Sequence, residues 1–167
     1  SPKNAELIVK SICSALEKAD PSNSGYYKKN AENYIYELNR LDGDIRSAVD
    51  GAKRKTVVFA DRFPMRYFAD EYGLEYFAAF PGCSSESEPS AATISFLIEK
   101  VKSEHIPVVF FTETSDGKVA DTICEASGAE KLLFHSCHNI TKQQFDGKAT
   151  YISLMKQNLK ALQTALN

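Results

Sequence analysis

At 167 residues the chain is long enough for one ordinary domain with a real core, and short for two. Twenty Lys and Arg against 22 Asp and Glu leave a net charge of −2 spread along the sequence, so no basic stripe offers itself to nucleic acid. No apolar run approaches the roughly 20 residues of a membrane span, and no basic, apolar, small-residue leader opens the chain. Ser1-Pro2 reads instead as the cap and first residue of a helix, the expected start of a piece cut from a longer protein.

In that first helix Ile8, Ile12, Ala15 and Leu16 repeat at helical spacing, and Asp20-Pro21 stops it, because the residue before a proline resists helical geometry. Ser22, Asn23 or Ser24 is placed to cap a second helix. There Tyr27, Ala31, Tyr34, Leu38, Leu41, Ile45 and Val49 alternate in steps of three and four up to Gly51. A stripe that long predicts a helix of about 40 Å, a spine extending beyond one small sheet.

From Lys55 the pattern changes to short apolar runs, residues 56–60, 76–80, 108–112 and 132–135. They alternate with predicted helices over 63–72, 89–103 and 116–127, and a last helix over 151–166 buries Ile152, Met155, Leu159 and Leu162. Strict alternation predicts right-handed crossovers onto one parallel sheet. The expected fold is α/β, a three-layer sandwich with a four-stranded parallel sheet in the order 2-1-3-4, preceded by the long helix. Residues 1–52 would form the helical part and 53–167 the α/β lobe. Residues 81–88 and 136–149 read as long loops at the carboxyl ends of strands, where such sheets bind ligands.

That rim gathers Asp61 and Arg62 after the first strand, Cys83, Glu86 and Glu88 after the second, Glu113 after the third, and His135, Cys137, His138 and Asn139 after the fourth. No Gly-rich phosphate loop follows any strand, which disfavours nucleotides. Imidazole, thiolate and carboxylate in company suit a transition metal. Each residue also has a plainer role: Asp61 as a helix cap, His135 as a structural strand end, and Glu113 as a cap or a hydrogen-bond acceptor for a ligating His. Cys137 beside His138 suggests a Cys/His hydrolase only weakly, since neighbours seldom present thiol to imidazole and no nucleophile elbow is present. The cysteines, Cys13, Cys83, Cys124 and Cys137, form no Cys-x-x-Cys pair.

Several blocks resemble, in order, the carboxy-terminal half of the zinc and manganese solute-binding proteins of ABC transporters, cluster A-I. They are Ser-Pro-Lys-Asn-Ala at the start, Asp20-Pro-Ser-Asn-Ser-Gly-Tyr-Tyr-Lys-Lys-Asn30, Arg66-Tyr-Phe-Ala-Asp-Glu-Tyr-Gly-Leu74, Glu88-Pro-Ser90, Val109-Phe-Phe-Thr-Glu113, and Thr150-Tyr-Ile-Ser-Leu-Met-Lys-Gln-Asn158. The resemblance implies an extracytoplasmic receptor, a cell-surface lipoprotein or periplasmic protein without catalytic activity. Such a receptor captures Zn or Mn between two lobes joined by the long helix and hands it to a membrane permease. Two ligands would belong to an N-terminal lobe preceding this chain, so any metal is expected to be weakly held here. By counting, Arg62 falls where the family has His or Glu, and Asn139 where it has an acid. The implied ligands are therefore the adjacent Asp61 and His138, with Glu113 in support. The same resemblance permits a Cys83–Cys137 disulfide. Against it stand the small hydrolase and an adhesion or interaction module without metal.

Overall fold

The computed structural model describes residues 1–80 and 89–167, and the chain divides into two compact units, Ser1–Ser47 and Ala48–Asn167. The first is helical. Ser1 caps α1, Pro2–Ala19, by accepting the Asn4 amide at 3.3 Å, and Pro2 takes the first turn, as the Ser-Pro start predicts. Asp20 leaves helical geometry (φ −139°, ψ 77°) and Pro21–Asn23 form a 3-10 turn. Asp20 holds the cap position of this turn without a side-chain bond to its backbone amides. Its carboxylate accepts from Ser22 Oγ, Asn23 Nδ2 and Tyr27 OH at 2.6, 2.7 and 2.8 Å, and these donors pull its pKa down to about 2.

The long helix α2, Ser24–Asp50, carries the predicted stripe in graded form. Tyr27, Ala31 and Tyr34 are half-buried, and Leu38, Leu41, Ile45 and Val49 are buried. On α1 the apolar repeat is exposed, with Leu7, Ile8, Ile12 and Leu16 open to solvent.

The second unit alternates as expected: β1 Thr56–Arg62, α3 Arg66–Tyr72, β2 Glu75–Phe80, α4 Ala91–Ser103, β3 Val108–Phe111, α5 Lys118–Ser127, β4 Glu130–Leu133, α6 Lys142–Asp146 and α7 Tyr151–Leu166. The four strands pair in parallel in the predicted order β2-β1-β3-β4. Gly73 and Gly128 end α3 and α5 in the left-handed conformation that glycine adopts without steric cost.

Side chains of β1 alternate between two layers. Val58 and Ala60 join Leu97 and Val101 of α4 and Ala120 and Ile123 of α5. On the other face the Phe59 ring packs with Phe63, Phe110 and Phe134 at centroid distances of 5.0, 5.2 and 5.6 Å. Phe68 of α3 reaches Phe134 at 5.5 Å, and Leu162 of α7 borders the same cluster. Helices therefore cover both faces and make the three layers.

Several boundaries differ from the reading by pattern. The strand β1 runs on to Arg62, and 63–65 bridge to a helix that starts only at Arg66, because Phe63 and Met65 are buried instead of starting a turn. The strand β4 begins and ends two residues early. Pairing starts as soon as Glu130 N donates to Pro107 O at 2.8 Å, and His135 lies beyond the strand. The 136–149 loop contains α6, whose Thr141 and Gln144 form a reciprocal capping box. Leu159 is half-buried, while Asn158 takes the buried position on α7.

Phe134, 2% exposed, is shared by strands and helices of one layer. Replacing it with Ala should cost about 3–5 kcal/mol in denaturant unfolding. A loss below about 1 kcal/mol would show that the ring cluster does not hold the layer.

Candidate metal site

The strand β1 reaches the rim through a bulge. Phe59 pairs with Ala78 and Arg62 with Phe80, so two residues of β1, Ala60 and Asp61, stand opposite one of β2. In the bulge the Asp61 carboxylate turns to the residue just past β3, where its Oδ2 accepts the Thr112 amide at 2.7 Å and lies 3.4 Å from the Thr112 hydroxyl. Asp61 therefore does not cap α3, whose capping position is Met65, without a side-chain bond. Arg62 is exposed and lays its guanidinium 5.5 Å from the Phe80 ring centroid. Asp61, Arg62, Phe80, Thr112, Asp116 and Val119 line an open polar depression.

Past Leu133 the chain leaves the sheet, and its backbone donors must find other acceptors. His135 N donates to Asn158 Oδ1 at 2.7 Å, and Asn158 Nδ2 returns a bond to His135 O at 2.8 Å. Ser136 N donates to Glu113 Oε2 at 2.8 Å, and the Ser136 hydroxyl donates to Glu113 Oε1. Cys137 N donates to His135 Nδ1 at 2.9 Å, and His138 N to Ser136 Oγ at 3.1 Å. Four consecutive amides thus end on four side chains.

These bonds decide several roles. His135, 2% exposed, accepts the Cys137 amide at Nδ1, which leaves the ring N–H to Nε2, facing Gln144 Oε1 at 3.4 Å. Its Nδ1 also lies 3.8 Å from Glu113 Oε2, but an unprotonated Nδ1 makes no ion pair there. Glu113 accordingly serves Ser136 and not a ligating imidazole. Burial by itself would raise its pKa, but the Ser136 hydroxyl and amide outweigh that and hold it below the usual carboxylate value. Cys137 sits at φ 61°, half-buried, with Sγ 3.9 Å from His135 O. Burial first, and the Glu113 carboxylate second, push its thiol up to about 11. A nucleophilic Cys needs the opposite shift.

His138 and Asn139 are exposed at the end of this segment. Cys83, Glu86 and Glu88, and with them the Cys83–Cys137 pairing, lie outside the described residues. Among the described residues no three His, Cys, Asp or Glu side chains gather into a group able to hold a metal.

Ser136, Thr112, Gln144 and Asn158 were not singled out from the sequence as rim residues. For two of them a signal existed: Thr141-x-x-Gln144 is a capping-box spacing, and Asn158 is a polar residue on the apolar face set by Met155 and Leu162.

Residues 1–165 match the family described as zinc-uptake complex component A, periplasmic. The chain belongs to this family. It is 36% identical over 166 residues to the high-affinity zinc uptake system protein ZnuA of Bacillus subtilis, covering 99% of this chain and 51% of that protein. It is 32% identical to the zinc-binding lipoprotein AdcA of Streptococcus pneumoniae, covering 97% and 32%. The chain thus spans about half or less of these curated relatives. The solved metal-dependent lipoprotein YcdH of Bacillus subtilis superimposes on all of this chain and 62% of its own, with a TM-score of 0.87 at 35% identity. The Zn(II)-bound ZnuA-like domain of Streptococcus pneumoniae AdcA gives 0.82 at 31% identity over 99% and 61%. The family is a metal-binding transport component, and its fold is the α/β fold described above.

Two predictions follow from the rim. Asn158→Leu strands the His135 N–H and C=O, at about 1–3 kcal/mol each. Unfolding should register a loss of about 2–5 kcal/mol, and wild-type stability would mean that water replaces the amide. In the reduced native protein, Cys137 should alkylate with iodoacetamide at least about tenfold more slowly at pH 8 than in the unfolded chain. Its rate should climb through pH 9 and 10 as the raised thiol ionises. Peptide mass mapping reads this, and fast labelling at pH 8 would refute the buried, protonated thiol.

Proposed function

We propose that this chain is the carboxy-terminal lobe of an extracytoplasmic receptor, lipid-anchored or periplasmic, that captures divalent zinc and hands it to an ABC permease. The observation that carries the reading is the whole-chain likeness to the metal-dependent lipoprotein YcdH, TM-score 0.87 at 35% identity. Zinc is preferred to manganese because the relatives above 30% identity whose names give a metal give zinc.

In this reading residues 1–52 are the helical connection and 53–167 the lobe. The lobe offers two ligands, Asp61 and His138, and a lobe outside this chain offers the rest. Both candidates suit the task. Asp61 has one oxygen tied to Thr112 N, which leaves a second oxygen to face an ion, and the His138 imidazole is exposed on a backbone held from below. Arg62 stays protonated and cannot ligate. Asn139 is neutral and brings no charge to the ion. Glu113 has both oxygens engaged by Ser136. Closing of the lobes would complete the coordination, and opening would release the ion to the permease.

The hydrolase alternative loses support from Cys137, whose thiol is raised and whose neighbouring His135 Nδ1 accepts an amide. The test is calorimetric titration of Zn(II) into the full-length protein and its Asp61→Ala plus His138→Ala variant. The double variant should bind at least about a hundredfold more weakly. Wild-type affinity in it would remove both residues from the site.

A further inference from the structure

We propose that Ser136 is a positioning residue for the metal site, the piece that connects Glu113 to His138. The inference rests on the reading of His138 as a ligand. A single hydroxyl takes part in two bonds. It donates to Glu113 Oε1 and accepts the His138 amide at 3.1 Å, while the Ser136 amide donates to Glu113 Oε2. One buried carboxylate therefore grips residue 136 at two points, and residue 136 grips the backbone of residue 138.

The grip has something to oppose. Cys137, between the two, holds φ 61°, a left-handed conformation that is strained for a residue with a Cβ and persists only where its surroundings hold it. The bonds on the amides of residues 136, 137 and 138 impose it. With the left-handed residue fixed, the backbone keeps its bend at residues 137 and 138, and the exposed His138 leaves it along one line. Without the Ser136 hydroxyl, the Glu113 bond to Oγ and the His138 amide bond are lost together. Residue 137 is then free to relax to negative φ, and the imidazole wanders.

The charge runs in the same direction. Glu113, 4% exposed at its side chain, has its pKa held below the usual value, so it is anionic at neutral pH. It keeps the Ser136 hydroxyl proton turned towards itself and leaves the oxygen lone pair for the His138 amide. A threonine at 136 would keep this polarity, and an alanine would abolish it.

The experiment is Zn(II) titration of four full-length proteins, Ser136→Ala, Ser136→Thr, Glu113→Gln and His138→Ala, against wild type, with the melting temperature of each zinc-free protein measured alongside. Ser136→Ala should weaken zinc binding about 10- to 100-fold, more than its lowered zinc-free melting temperature accounts for, with Ser136→Thr restoring most of the affinity. Glu113→Gln should fall between them, and it carries the comparison if the alanine variant does not fold. If His138→Ala weakens binding while Ser136→Ala binds as wild type, the positioning role is overturned and the site stands. If Ser136→Thr loses as much affinity as Ser136→Ala, or the losses follow the melting temperatures, the hydroxyl is structural only and the role is overturned. If His138→Ala binds as wild type, the site assignment falls and takes the positioning role with it.

Discussion

A backbone that leaves a sheet must exchange its ladder partners for others, and at residues 135–138 every amide does so through a side chain. Each such donor left unpaired in the interior would cost about 1–3 kcal/mol, so the segment has one arrangement that meets all the demands and few that come close. The acceptors come from separate parts of the fold: Asn158 from the last helix, Glu113 from the exit of the neighbouring strand, and His135 and Ser136 from the segment itself. The rim is thereby tied to the sheet beneath it. Asp61 repeats the device one strand further along, with its carboxylate on the Thr112 amide.

This network explains why the rim's ionisable groups are so uneven in what they offer. Glu113, His135 and Cys137 are spent on structure: the acid is saturated by Ser136, the imidazole accepts an amide, and the thiol is buried and hard to ionise. Asp61 and His138 are supported from behind and left open in front. In the proposed receptor, which would bind an ion and then surrender it, that division would let rigid groups fix the direction of approach while few groups do the holding.

Much of the architecture was legible in the chain. The strict alternation of short apolar runs and helices, with Gly73 and Gly128 as stops, carried the parallel sheet and its order. The Ser-Pro start carried the first cap. Local patterns fared less well wherever a long-range partner decided the outcome. Asn158 and His135 are 23 residues apart, and nothing in their neighbourhoods announces a bond. Glu113 was recognisable as a hydrogen-bonding acid on the rim, but its partner, Ser136, was not. An apolar repeat likewise reads the same whether it is covered or not, so the exposure of Leu7, Ile8 and Ile12 on α1 could not be foreseen beside the burial of Leu38 and Leu41 on α2.

The bulge at the end of β1 bears on how relatives of this chain are to be compared. Ala60 and Asp61 together oppose a single residue of β2, so from that point position along the chain and position along the sheet run out of step by one. Arg62 stands opposite Phe80, and without the extra residue Asp61 would stand there instead. Strand length, as much as residue identity, then selects which side chain occupies the rim. A homologue lacking one residue in this stretch would pair without interruption and present a different side chain with no substitution at all. Insertions and deletions at strand ends thus offer such a sheet a way to exchange the group it turns towards its rim while leaving the buried layers on either side untouched.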